Sequence, residues 1–232
     1  MVPIRVSNEG GEAMSKDNLL EAMIARLQSD KKPTDKKQKI AEAAVQLFAE
    51  KGYANTSTSE IAKRAGVAEG TIFRHYGTKE NLLLSILLPF LKESLPGMAE
   101  SVFREISGKG MDSFDDFFRA LLKNRYQFFK ENREIFQVFI KELLYNEDFR
   151  NEIVPHFTEN VFQRIRQTIV HFQERGEIRD LPAQSLARTI FTFVFSFFVS
   201  RFVLMPENAF LDDETELENF VQIVLHGIKK GN

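Results

Sequence analysis

Gly66 constrains this chain more than any other residue. It stands between two short stretches of helical periodicity in the run 52–83, GYANTSTSEIAKRAGVAEGTIFRHYGTKENLL. A tight reversal between packed helices rewards a residue free to take φ > 0, so the run reads as a helix-turn-helix. Ahead of the turn, Ser57 and Glu60 have the spacing of a capping box, and Ile61, Ala62 and Ala65 supply an inner face. After it, a helix over 69–76 carries Ile72 and Tyr76 four apart as its apolar edge and leaves Thr71, Arg74 and His75 outward. The second helix of such a unit enters the major groove by its N-terminal part, where these side-chain types meet base edges and phosphates. Gly70 inside that helix costs up to about 1 kcal/mol relative to alanine, but a bare backbone lets it approach a phosphate closely.

Taken with the preceding helix, KIAEAAVQLFAEKGY, and the following TKENLL, the run TSEIAKRAGVAEGTIFRHY resembles the N-terminal DNA-binding domain of TetR-type (TetR/AcrR) transcriptional regulators. The resemblance implies an all-α protein: a three-helix helix-turn-helix domain, then a helical bundle that binds a small molecule and dimerises. It implies DNA contacts from Thr58, Ala68, Glu69, Gly70, Thr71, Phe73, Arg74, His75 and Lys79. Two positions depart from the family pattern. Ala68 stands where Ser or Thr often caps the recognition helix, a loss of about 1 kcal/mol unless another group serves. Glu69 stands where a basic or small polar residue is frequent, and its carboxylate either repels phosphate or accepts from a cytosine amine.

Three segments follow: an N-terminal extension (1–30), the DNA-binding domain (31–80) and a ligand-binding and dimerisation domain (81–232). Residues 1–13 lack periodicity and read as disordered, and Met14 is an alternative start. Leu19, Leu20, Met23, Ile24 and Leu27 form an amphipathic helix over 17–28 that either packs on the DNA-binding domain or frays. The basic run Lys31, Lys32, Lys36, Lys37 and Lys39, with an N-cap at Thr34 or Asp35, is equally an arm for phosphates and a solvated linker. Ile40, Ala43, Ala44, Leu47 and Phe48 line the next helix, which stops at Gly52. Thr78 caps a helix that Pro89 should kink and Pro96-Gly97 should break or bend. In the family this helix links the two parts. Beyond Gly110, helices are predicted over 113–130, 133–145, 149–175 (bent at Pro155), 182–204 and from Asp212 or Asp213 to Lys229.

Charge is unevenly spread. Residues 31–80 hold ten Lys and Arg against six Asp and Glu, while the remainder is net −6, so positive charge gathers where phosphate would bind. Cysteine is absent, which excludes disulfides and thiol nucleophiles. The start lacks the apolar core of a secretory signal. The most apolar stretch, 190–205, is shorter than a spanning helix needs and contains Arg201, so it reads as buried protein; a cytoplasmic location with no membrane partner follows.

Twenty-three Phe against four Tyr and no Trp give the C-terminal part an aromatic interior, suited to an unidentified apolar or aromatic effector. Phe114, Phe118, Asn124, Tyr126, Phe129, Phe139, His156, Phe162, His171 and Arg188 are the candidate lining. Leu217, Phe220, Val221, Val224, Leu225 and Ile228 form an apolar stripe that, with Phe198, is the candidate homodimer interface. No nucleophile elbow, phosphate loop or metal motif is present, so neither catalytic residue, metal nor cofactor is assigned. The predicted function is a ligand-responsive repressor that binds double-stranded operator DNA. A constitutive architectural DNA-binding protein is the alternative, and a helical hydrolase stands further off.

Overall fold

The computed structural model describes residues 18–29, 36–107, 113–205 and 212–227, and every regular element in them is helical. α1 (Leu19–Ser29), α2 (Lys36–Lys51), α3 (Thr58–Ala65) and α4 (Glu69–Tyr76) form the N-terminal part. α5 (Lys79–Ser107), α6 (Phe114–Glu131), α7 (Arg133–Tyr145), α8 (Glu147–Phe157), α9 (Gln163–Glu174), α10 (Ala183–Val199) and α11 (Asp213–His226) follow. The chain is all-α, a helix-turn-helix unit followed by a helical bundle. The readings placed on residues 1–17, 31–35, Gly110, Ile228 and Lys229 lie outside the described residues.

Local chemistry starts and stops the helices. The Ser57 hydroxyl accepts from the Glu60 N–H at 3.2 Å while the Glu60 carboxylate accepts from the Ser57 N–H at 3.0 Å, closing the capping box. Gly66, at φ +68°, ends α3 and lets the Val67 N–H reach the Ala62 carbonyl at 3.0 Å. Thr78, Ser113 and Asp212 each accept the N–H three residues on, opening α5, α6 and α11.

Two proline-containing stretches are expected to bend or break, and neither is broken. α5 runs unbroken through Pro89 and Pro96, because each proline removes only one N–H and the helix is held on both sides of them by packing: Leu82, Leu83, Leu87 and Phe90 on one core, Ala99, Val102 and Phe103 further along. The helix predicted over 149–175, bent near Pro155, is one helical run in which a π-helical turn, Thr158–Phe162, joins α8 to α9 just after Pro155.

The core of α1–α5 continues into α6 and α7 through Phe128, Ile135 and Val138. A second core joins α6, α7, α10 and α11 around Phe118, Phe136, Phe198 and Phe202. Phe129 packs against both, and Phe139 against these two and a third cluster centred on Phe149. α1 is not frayed: Met23 is fully buried, and the Leu19 N–H donates to Asn132 Oδ1 at 2.8 Å. Asn132, itself buried at the α6–α7 turn, also donates to the Phe128 carbonyl at 2.8 Å.

Candidate nucleic-acid interface and aromatic interior

α4 rests on the core through Ile72 and turns Phe73, Arg74 and His75 to solvent, with Phe73 51% exposed. No hydrogen bond or ion pair engages the Arg74 side chain among the described residues, in contrast to Arg64, which forms a two-pronged pair with Glu50 at 2.6 and 2.8 Å. Lys51 is likewise paired, with Glu60 at 2.5 Å. This bond, with the Ser57 N–H, holds the Glu60 carboxyl down to about 2. The fixed cations frame the unit, and Arg74 is left to reach outward.

At the start of α4 the backbone has no side-chain cap, since Ala68 offers none. Orphan N–H groups at a helix N-terminus bind anions. Gly70 is exposed, and a Cβ added there would meet nothing within 4 Å, so packing within the chain does not require glycine. Thr71 is half-buried beside it. The Glu69 carboxylate accepts from the Thr58 hydroxyl at 2.7 Å, an internal partner that ties the first turns of α3 and α4 together and draws two predicted contacts into one link.

Lys79 is corrected. Its ammonium donates to the Tyr53 and Thr56 carbonyls at 2.8 and 2.9 Å and lies 4.3 Å from the centre of the Tyr53 ring. It clamps the α2–α3 loop to the start of α5, because those carbonyls lie in the loop, outside both helices, and need donors from elsewhere. The same loop is gripped by α7, whose Glu134 carboxylate accepts from the Ala54 N–H at 3.2 Å. Gly52, at φ +83°, makes room, for a Cβ there would stand 3.2 Å from that carboxylate. Glu134 carries no motif signal; only the folded chain brings it to this loop.

The ten residues proposed to line an effector site do not form one polar cavity. Phe118 is fully buried and stacks on Phe114 at 5.9 Å, and Phe129 lies 4.4 Å from Phe136 and 4.9 Å from Phe198. Phe139 packs edge-on against Phe149, and Phe162 against Phe191. His156 is half-buried. Four of the polar residues sit as follows. Tyr126 gives its hydroxyl to Asp213, and burial followed by this bond pushes its phenol well above the usual range. Asn124 accepts from Arg125 at 2.5 Å. His171 and Arg188 are exposed on the outer faces of their helices. Helical periodicity identifies the aromatic face but not where each polar side chain ends.

The residues assigned to the dimer interface pack in part on their own chain. Phe198 and Val221 are each 2% exposed within a single chain. Leu217, Phe220, Val224 and Leu225 pack partly on the same core, with Phe220 stacked on Phe197 at 4.5 Å. What remains outward is Thr189, Thr192, Phe193 and Ser196 on α10 with Asn219, Gln222, Ile223 and His226 on α11. The apolar stretch is also longer than its sequence reading: Ala183–Leu204 is 22 residues, long and apolar enough to cross a membrane, and only 17% of it is buried. Its exposed face nevertheless carries Gln184 and the charged Arg188, groups that are costly to place in lipid. Arg201, near its end, pairs with Asp213 at 3.1 Å and Glu216 at 3.0 Å.

Comparison with known proteins agrees with this geometry. Residues 40–86 match the family of bacterial regulatory proteins, tetR family. The chain is 30% identical to the HTH-type transcriptional repressor AcnR of Corynebacterium glutamicum over 174 residues, 73% of this chain and 83% of AcnR. It is 30% identical over 142 residues to the uncharacterized HTH-type transcriptional regulator YerO of Bacillus subtilis, 55% of this chain and 48% of that longer protein. Among solved structures, Thermus thermophilus FadR, a TetR family transcriptional repressor in complex with lauroyl-CoA, superposes with a TM-score of 0.56 at 25% identity, covering 84% of this chain and 96% of that one. With its Gly66 turn, outward α4 and extended likeness to AcnR, the chain belongs to the TetR family of DNA-binding transcriptional regulators.

Proposed function

We propose that this regulator is a cytoplasmic repressor that binds a near-palindromic operator as a homodimer and is released by an apolar small molecule. The observation that carries the DNA reading is α4, where an uncapped N-terminus, a bare Gly70 and the outward Phe73, Arg74 and His75 lie on one exposed helix. Residues 31–80 are taken as the DNA-binding part and 81–232 as the effector and dimer part, with α5 as the lever between them. One monomer reads too little DNA, and two-fold symmetry sets half-sites one helical turn, roughly 34 to 36 Å, apart. The test is selection of operators from random duplex by the full chain, then Arg74→Ala. The variant should lose about 1 to 3 kcal/mol on the selected site and relax preference at one position. Unchanged affinity and preference would remove α4 from the groove.

For the effector we infer a molecule with a long apolar chain, of the fatty-acyl class. Support comes from the aromatic interior and from the lauroyl-CoA bound by the similar Thermus thermophilus protein. The rings of Phe118, Phe129 and Phe139 already pack on one another or on neighbouring rings, so an acyl chain enters only by moving helices apart, and α5 transmits that movement to α4. A hundredfold loss of operator affinity needs about 2.7 kcal/mol of coupling. By reciprocity, saturating operator must weaken lauroyl-CoA binding by the same factor in calorimetry. Equal affinity with and without operator would instead favour a constitutive DNA-binding protein.

A further inference from the structure

The α6–α7 turn stands between the two large cores. On α7, Ile135 and Val138 are buried in the core of the DNA-binding part, while Phe136 and Ile140 are buried in the aromatic one. Across the turn, the Phe129 ring lies 4.4 Å from Phe136 and 4.9 Å from Phe198 of α10. Neighbouring side chains of one short helix thus grip opposite cores. In a close-packed interior a displacement on one side is carried to the other.

The same turn holds the DNA-binding part by two hydrogen bonds. The buried Asn132 Oδ1 accepts from the Leu19 N–H at 2.8 Å, and the Glu134 carboxylate accepts from the Ala54 N–H at 3.2 Å. Both donors are backbone groups that no helix uses. Leu19 is the first residue of α1, where an N–H has no acceptor within its own helix, and Ala54 lies in the α2–α3 loop. α1 precedes residues 40–86, the part that matches the family, so the Leu19 bond is a contact this chain adds to that unit.

We propose that these two bonds form a latch between the α6–α7 turn and the helix-turn-helix. It is closed while the rings of Phe129, Phe136 and Phe139 pack on their neighbours, as here, and an acyl chain that parts those rings displaces the turn and opens it. The proposal rests on the effector reading above and adds to α5 a second route out of the aromatic interior. α5 carries a tilt to α4, whereas the latch holds α1 and the loop that leads into α3. The closed form is the one that binds operator. Because the latch opposes entry of the acyl chain, weakening it must tighten effector binding at a distance.

The test uses the full chain and lauroyl-CoA, titrated by calorimetry. Glu134→Ala removes one bond, and Leu19→Pro removes the other, since proline is tolerated at the first position of a helix and lacks only the N–H. Each should lower the lauroyl-CoA dissociation constant by roughly two- to tenfold, the equivalent of one net hydrogen bond. Leu19→Ala keeps the N–H and loses the side chain, so it should lower the thermal midpoint and leave that constant unchanged. Lauroyl-CoA binding that is unchanged or weaker in both Glu134→Ala and Leu19→Pro would overturn the latch. A second readout needs no effector: operator must hold the latch shut, so bound operator should slow hydrogen exchange at the Leu19 amide by at least about fivefold more than at the Val221 amide of α11. Slowing at Leu19 no greater than at Val221 would also overturn the latch. A parent chain that binds no lauroyl-CoA but shows this extra slowing would overturn the effector reading and leave the latch standing.

Discussion

At Lys79 a residue read as a phosphate contact is bound instead to two loop carbonyls. Lys79→Ala leaves the Tyr53 and Thr56 carbonyls without that donor, and hydrogen bonds from charged groups are worth about 1.5 to 3 kcal/mol. The variant should therefore unfold at lower urea concentration, by about 2 kcal/mol, while the salt dependence of operator binding keeps its slope. A slope reduced by about 1 with unchanged stability would restore the phosphate role. Gly66 obeys the opposite logic. A Cβ there meets nothing within 4 Å, yet φ is +68°, so Gly66→Ala should cost about 1 to 2 kcal/mol through backbone strain alone, measured by thermal unfolding.

Among the elements, α11 depends most on a polar anchor. Asp213, its first residue, accepts from Lys130, Tyr126 and Arg201. The Lys130 ammonium, then the Tyr126 hydroxyl, hold its carboxyl down to about 2, from an ordinary 3.8. Because the folded value lies below the unfolded one, this stabilisation is complete above about pH 4 and is lost as pH falls through about 2. The carboxylate is 35% exposed, so solvent screening reduces the effect to about 1 kcal/mol. Asp213→Asn should be less stable than the parent at pH 6 and converge with it near pH 2 in urea titrations; a gap independent of pH would deny the ionic anchor. α1 is anchored differently, by Met23 in the core and by Leu19 on Asn132. It thereby braces the helix-turn-helix against the α6–α7 turn.

For the molecule as a whole, the proposed homodimer is expected to form through the outward face of α10 and α11. Phe193 and Ile223 are 49% and 51% exposed, and burying such side chains on association is worth roughly 1 kcal/mol or more each. Phe193→Asp combined with Ile223→Asp should give a monomer by light scattering with helicity intact, because neither residue supports the chain's own core. Phe220→Asp should instead loosen α11, since Phe220 stacks on Phe197 within the chain. A dimer that survives the double substitution would place the interface elsewhere.

Local signals made much of this protein legible. Ser57, Glu60 and Gly66 mark the helix-turn-helix because caps and turns are satisfied by neighbours a few residues away. The start of α11 follows from the same short-range chemistry, at its Asp212 cap. Periodicity also separates the inner from the outer side of α4. It could not rank the apolar residues of α10 and α11, where Phe198 and Val221 face their own core while Phe193 and Ile223 face out. Those helices are apolar over more than one face, and a period indicates a direction only when one face is polar. The partners of Lys79, Tyr126, Asn132 and Glu134 are likewise hidden from spacing, as each bonds to a group 23 or more residues away. Only packing brings such groups within 3 Å or so of each other, and it is packing that set the clamp on the α2–α3 loop and the brace of α1.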